Sequence, residues 1–191
     1  MSTSPPAILE RQVVYRGYLT IARLKIRLAD GAVVTREVER HGDSVAVLPY
    51  DVARRCALVV ALFRAPAFDA TGTESVEEAC AGMIEQEDAA TAVRREAWEE
   101  LGVVLHAPDL VARVWPSPGV SAERQSLFLA AYGRTDRLGK GGGLAAENEG
   151  ITVLERPLAA LAQDADAGRI ADAKLLTLTL ALRLRSPGLF A

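Results

Sequence analysis

The stretch Asp88-Ala-Ala-Thr-Ala-Val-Arg-Arg-Glu-Ala-Trp-Glu-Glu-Leu-Gly102 constrains this chain more than any other segment. Asp88 suits an N-cap, where its side chain can accept from an orphan backbone N–H. Gly102 suits the left-handed position that closes a helix. Between them, Val93, Ala97 and Leu101 recur at i, i+4 and i+8 and give one apolar stripe for a core. Glu96 and Glu100 share a different face, with Glu99 beside them. These carboxylates work against the helix. The Glu96/Glu100 pair repels at i, i+4 by a few tenths of a kcal/mol. Each also sits near the C-terminal end, where the macrodipole disfavours a negative charge by about 0.3–1 kcal/mol. Two readings account for them: a solvated acidic face, or a cluster of hard oxygen ligands for a divalent cation such as Mg²⁺, which favours carboxylates and substrate phosphates.

The rest of the chain supplies strands for that helix to pack on. Tyr18 to Leu28 alternates apolar and basic residues, Asp30-Gly31 marks a hairpin turn, and Val33-Val34-Thr35 begins a return strand, so residues 7–42 read as a small β unit. Val45 to Leu48 and Ala57 to Phe63 read as apolar strands joined through Pro49-Tyr50-Asp51. Val111 to Trp115, Ser126 to Tyr132 and Ile151 to Leu154 are further strands. Leu158 to Ala167 and Lys174 to Leu184 are helices, with Gly168 ending the first. The run Gly139-Lys140-Gly141-Gly142-Gly143 predicts a mobile loop. Strands mixed with helices, without repeats, indicate an α/β class with helices on a mixed sheet. At roughly 150 residues per domain, 191 residues make one main domain, 43–191, with the β unit at 1–42 beside it.

Composition narrows the function. With 22 Lys and Arg against 25 Asp and Glu, the net charge is −3, which gives no general attraction to nucleic acid. The longest apolar runs fall far short of the ~20 residues that span a bilayer. The first residues, Met1-Ser-Thr-Ser-Pro-Pro6, carry no secretory pattern. Cys56 and Cys80 read as buried thiols of a cytoplasmic protein. The two histidines, His41 and His106, have no His or Cys at zinc-ligand spacing, and no Gly-x-Ser-x-Gly turn offers a nucleophile. Any chemistry falls to carboxylates.

The segment Gly82-x4-Glu87-x7-Arg95-Glu96-Ala97-Trp98-Glu99-Glu100-Leu101-Gly102-Val103 resembles the Nudix box, G-x5-E-x7-R-E-U-x-E-E-x-G-U with U apolar. It departs in two places. Its loop is one residue short, or Asp88 stands where the first Glu belongs; and Ala97 is small for U. Beyond the box, Glu78-Ala-Cys-Ala-Gly82 is similar to the E-x-x-A-G lead-in of the ADP-ribose pyrophosphatase and GDP-mannose hydrolase branch. Leu62-Phe63-Arg64 is similar to its Q-[FY]-R strand, with Leu for Gln, and Ser117-Pro118-Gly119 with Glu123 to its S-P-G…E segment. The short box, the triple glycine and Glu147-Asn-Glu149 look most like the GDP-mannose type.

The resemblance implies a Nudix-type α/β/α sandwich and Mg²⁺-dependent attack of water on the diphosphate of a nucleotide sugar, with Mn²⁺ as a substitute cation. It implies Glu96 and Glu100 as principal metal ligands, assisted by Glu99 and the Ala81 carbonyl, and Arg95 orienting the glutamates. A general base on a late loop would be Glu147 or Glu149. Arg64, Glu78, Gly82, Ser117, Gly119 and Glu123 would line the substrate, and Arg40 would reach it across a homodimer built on the N-terminal β unit. Lys174 and Arg183 to Arg185 read as solvated helix charges, and Trp98 as packing. A non-catalytic nucleotide-sugar sensor and a nucleoside triphosphatase are the competing readings, beside a Nudix hydrolase of another nucleoside diphosphate derivative. Retention of Glu96, Glu99 and Glu100 speaks against the first. The N-terminal β unit and Glu147 speak against the second.

Overall fold

The computed structural model describes residues 4–144 and 150–191. The chain forms two units, Met1–Asp43 with Trp115–Arg124, and Ser44–Val114 with Gln125–Ala191.

The larger unit is built on a seven-stranded mixed sheet. Strands β4 (Ser44–Asp51), β5 (Cys56–Leu62), β8 (Asp109–Val114), β9 (Gln125–Ala131) and β10 (Thr152–Pro157) lie in the order β10-β5-β4-β9-β8, while β6 (Val76–Glu78) pairs with β5 and β7 (Cys80–Met83) with β4. Among the described residues of this sheet only β4 and β9 run parallel. Alternation along β4 separates two cores. Val45 and Val47 face α2 (Ala89–Leu101), packing with Val93, Ala97 and Leu101. Ala46 and Leu48 face α3 (Leu158–Asp166) and α4 (Ala173–Arg185), packing with Leu158, Leu161, Leu175, Leu178 and Leu182. Strands buried on both faces read as unbroken apolar runs, which is why β4, β5 and β9 stand out in the sequence. The result is the expected α/β/α sandwich.

Several boundaries differ from expectation. β4 does not end at Pro49 but continues to Asp51. One edge of β4 pairs with β9 from Ser44 to Tyr50. The other pairs with β7 over Ser44–Val47 and with β5 only at Tyr50 and Asp51. Pro49 falls in the gap between those partners, where its missing N–H costs no ladder bond. The turn follows instead: Asp51 Oδ1 accepts from the N–H groups of Ala53 and Arg54 at 2.9 Å each. The short α1 (Ala65–Thr71) carries no apolar period because none of its residues is buried.

The smaller unit holds an antiparallel meander, β1 (Ala7–Arg16), β2 (Thr20–Arg27) and β3 (Val33–Arg40). The Asp30-Gly31 turn is as read: Gly31 has φ 88° and Asp30 Oδ1 accepts from Ala32 N–H at 2.9 Å. The segment Trp115–Arg124 joins this unit through a parallel bridge between Glu39 and Ser121. Among the described residues no helix is long and apolar enough to cross a membrane.

Candidate metal and phosphate site

Helix α2 begins and ends as its residues dictate. Asp88 accepts from Thr91 N–H at 2.8 Å, and Gly102 takes the left-handed conformation with φ 66°. This decides the ambiguity over the short loop. Asp88 is occupied as the cap, and Glu87 is the residue that meets Arg95, through Nε at 2.9 Å and Nη2 at 2.8 Å. Arg95 also donates to Glu96 Oε1 at 2.7 Å, to Glu99 Oε2 at 3.1 Å and to the Met83 carbonyl at 3.0 Å. One guanidinium thus ties the loop after β7 to three carboxylates. Burial opposes its charge, but Glu87 and Glu96 outweigh that and raise its pKa.

The acidic face is not solvated. Glu96 retains 9% of its surface and Glu100 only 4%, values normally reached by carboxylates with a dedicated partner. Glu96 lies against β7 so closely that a methyl group at Gly82 would fall 2.0 Å from its carboxyl carbon. Glu100 Oε2 accepts from Ala81 N–H at 3.2 Å. In an antiparallel strand a residue's N–H and C=O leave on the same edge, so the Ala81 carbonyl faces the same side as this carboxylate. Among the described residues no three His, Cys, Asp or Glu side chains already converge into a closed cage. A cation that keeps several waters needs only one or two carboxylates, and this donor set, all hard oxygen and crowded against a Gly that leaves room for it, fits a divalent ion.

The glycine run behaves differently from expectation. It docks on the C-terminal end of α2 rather than standing free. Gly139 N–H donates to the Gly102 carbonyl at 3.0 Å, Gly142 N–H to Glu100 O at 2.8 Å and Gly143 N–H to Glu99 O at 3.1 Å. These bonds satisfy carbonyls that a helix end leaves without partners. Glycine is required here for proximity: a Cβ at Gly141 would sit 2.3 Å from the Glu100 carbonyl oxygen, in a backbone with φ 67°. Trp98 remains half exposed. Glu147 and Glu149 lie outside the described residues.

Arg64 and Glu78 form a second cluster in the same unit. Arg64 grips Glu78 with two parallel bonds, Nε to Oε1 at 2.8 Å and Nη2 to Oε2 at 3.0 Å. Lys174 is not a solvated helix charge: its Nζ donates to Glu78 Oε2 at 3.1 Å and to Asp172 Oδ1 at 2.7 Å. Asp172 caps α4 and also accepts from Ala79 N–H at 3.1 Å. Burial alone would raise the Glu78 carboxyl, but Arg64 and Lys174 hold it below the usual carboxylate range. Burial likewise works against the Lys174 ammonium, which Asp172 and Glu78 keep above its ordinary value. The one local signal for this cluster was Asp172 two residues ahead of Lys174 at a helix start. By contrast, Arg183 and Arg185 make exposed pairs with Asp166 and Asp109.

The remaining predicted residues, Arg40, Ser117, Gly119 and Glu123, belong to the smaller unit. There His41, which the sequence offered no role, lies between two of its carboxylates, 2.7 Å from Glu39 and 3.7 Å from Glu123. Glu123 N–H donates to Ser121 Oγ at 3.1 Å.

Comparison with known proteins gives the family. The chain is 31% identical over 183 residues to the GDP-mannose pyrophosphatase of Cronobacter sakazakii, covering 93% of this chain and 95% of that protein. It is 35% identical over 152 residues to the ADP-ribose pyrophosphatase of Escherichia coli K12, covering 76% and 72%. A crystal structure of an ADP compounds hydrolase superposes with a TM-score of 0.76 at 17% identity, over 98% of this chain and 97% of the other, which shows a common fold. Residues 40–178 match the model of the NUDIX domain, most of the chain and all of α2, and the protein belongs to that family.

Proposed function

We propose that the protein is a Nudix pyrophosphatase that hydrolyses the diphosphate of a nucleoside diphosphate sugar, with Mg²⁺ as its ion and Mn²⁺ as a substitute. The observation that carries this reading is the buried Glu96/Glu100 pair on α2, pressed against Gly82. Glu96 and Glu100, helped by Glu99 and the Ala81 carbonyl, would hold the cation. When bound, such an ion neutralises the diphosphate and lowers the pKa of a water to be used as nucleophile. Arg95 keeps the glutamates oriented through the bonds it makes to Glu87, Glu96 and Glu99. Arg64, set by Glu78, would bind a phosphate oxygen. Glu78 and Gly82 act in this reading as supports of the substrate site.

Glu147, or Glu149, would take the proton from water as it attacks phosphorus. Its position in the chain supports this. The bonds from Gly142 and Gly143 deliver the chain to the end of α2 beside Glu99 and Glu100. Glu147 follows Gly143 by four residues, a reach of at most about 14 Å for extended chain. ADP-ribose would give AMP and ribose 5-phosphate; GDP-mannose would give GMP and mannose 1-phosphate. In both, water adds to one phosphorus, the P–O–P bridge breaks, and each product leaves as a monophosphate.

The smaller unit would serve dimerisation and, through Arg40, Ser117, Gly119 and Glu123, substrate contact. Its edge strand β1 supports the dimer: Ile8, Leu9, Val13, Val14 and Tyr15 are all exposed, an open apolar edge of the kind that pairs with another chain. Twice the chain mass in light scattering is expected; the mass of one chain would contradict it. The buried side chains of Cys56 and Cys80 support a reducing compartment, the cytoplasm.

The test is a substrate panel with Mg²⁺: ADP-ribose, GDP-mannose and the nucleoside triphosphates. Release of AMP or GMP from a nucleotide sugar is expected. Tight binding without product over hours would make the protein a sensor, and preference for triphosphates would overturn the substrate class.

A further inference from the structure

We propose that Lys174, on α4, is a positioning residue that sets the phosphate-binding geometry of Arg64 through Glu78. This rests on the reading of Arg64 given above and extends it to a helix that carries none of the box residues. The chain of contacts is continuous. Asp172 holds Lys174, Lys174 holds Glu78 Oε2, and Glu78 holds Arg64 with both oxygens. Four charges alternate and balance: two carboxylates, Asp172 and Glu78, both under a tenth exposed, against one ammonium and one guanidinium. The same Asp172 accepts from Ala79 N–H, one residue before β7, so the cluster also fixes the backbone that leads to Ala81 and Gly82.

The need for Lys174 follows from the charge count. Remove its ammonium and two buried carboxylates confront a single guanidinium. Buried carboxylates that lose a partner seek another, because leaving one unpaired is costly. Arg64 is the cation already bonded to Glu78, and it is drawn inward, away from the orientation that presents it to a phosphate.

A double-mutant cycle separates this role from ordinary packing. The measurement is the Kd of the substrate selected by the panel, by calorimetry in EDTA, together with kcat and KM in Mg²⁺. Arg64→Ala is expected to weaken binding about tenfold, the effect of one charge-assisted hydrogen bond. Lys174→Met should weaken it comparably, raise KM and change kcat by less than about twofold. Lys174→Arg should restore most of the loss. In the Arg64→Ala background, Lys174→Met should add nothing. If Lys174→Met does not fold, Asp172→Asn keeps the helix cap and removes the charge that holds Lys174.

An equal loss in both backgrounds, or an unchanged Kd in Lys174→Met, would overturn the proposal. The ligand-free protein gives an independent readout. The Arg64 Nε–H proton, bonded to Glu78, should exchange more slowly with solvent in Lys174→Met than in wild type, and an unchanged exchange rate counts against the relay. A protein that shows the slower exchange and the Lys174-dependent Kd but releases no nucleoside monophosphate would retain the relay and lose the hydrolase reading.

Discussion

Glu100→Gln is expected to lower Mg²⁺-dependent hydrolysis of the preferred nucleotide sugar by about 10²–10³-fold, the loss seen when one preorganised electrostatic group is removed from a reacting centre. Its effect on the fold should have the opposite sign or be nil. Glu100 lies four residues from Glu96 and one before the last residue of α2, so its charge works against both its neighbour and the helix dipole. Gln retains a carbonyl oxygen for the Ala81 N–H. Thermal denaturation in EDTA should therefore give a Tm equal to or above that of wild type. A variant with lowered Tm and undiminished turnover would make Glu100 a structural ion-pair partner and remove it from the metal site.

Gly82→Ala should separate activity from stability in the same way, by a different cause. Gly82 does not occupy the left-handed region, so alanine meets no backbone strain there. It sits in β7 opposite Val45, where a side chain is favoured over none. The three atoms nearest the new methyl group all belong to the Glu96 carboxylate, whose carbon and Oε1 both fall at 2.0 Å. The end of a flexible side chain can swing away, so the fold should lose less than about 1 kcal/mol, within the range of tolerated substitutions. A metal ligand displaced by about 1 Å or more should cost on the order of 10²-fold in kcat/KM. Denaturation and steady-state kinetics on one preparation check both halves. A large loss of stability with proportionate loss of activity would show that Gly82 matters for packing alone.

What the sequence revealed divides along a physical line between local and distant determinants. Helix α2 was legible to the residue because its cap, stripe and stop are encoded within fifteen consecutive positions, Asp88 to Gly102. The apolar runs of β4, β5 and β9 were legible because both faces are buried. Whether Glu96 and Glu100 were solvated was not, since burial depends on β7 coming from outside the helix. The docking of the glycine run was not legible because propensity describes a chain alone, and the carbonyls at the end of α2 that hold it are 37 to 44 residues away in sequence. Lys174 was misread for the same reason: its partner Glu78 is 96 residues distant. The continuation of β4 past Pro49 required knowing where β7 stops and β5 begins. Arg95 was read as orienting the glutamates of its helix, and the structure pairs it with Glu96 and Glu99 and also with Glu87, which lies outside that helix.

The central claim is that the carboxylates of α2, with the Ala81 carbonyl, hold a divalent ion against a diphosphate. Crystals soaked with Mn²⁺ and a non-hydrolysable ADP-ribose analogue, measured at the manganese edge, test it most directly. Anomalous density bounded by Glu96, Glu100 and the Ala81 carbonyl oxygen, with the analogue's phosphates on its open side, is the predicted result. An analogue bound with its phosphates elsewhere and no anomalous density at these residues would contradict the account.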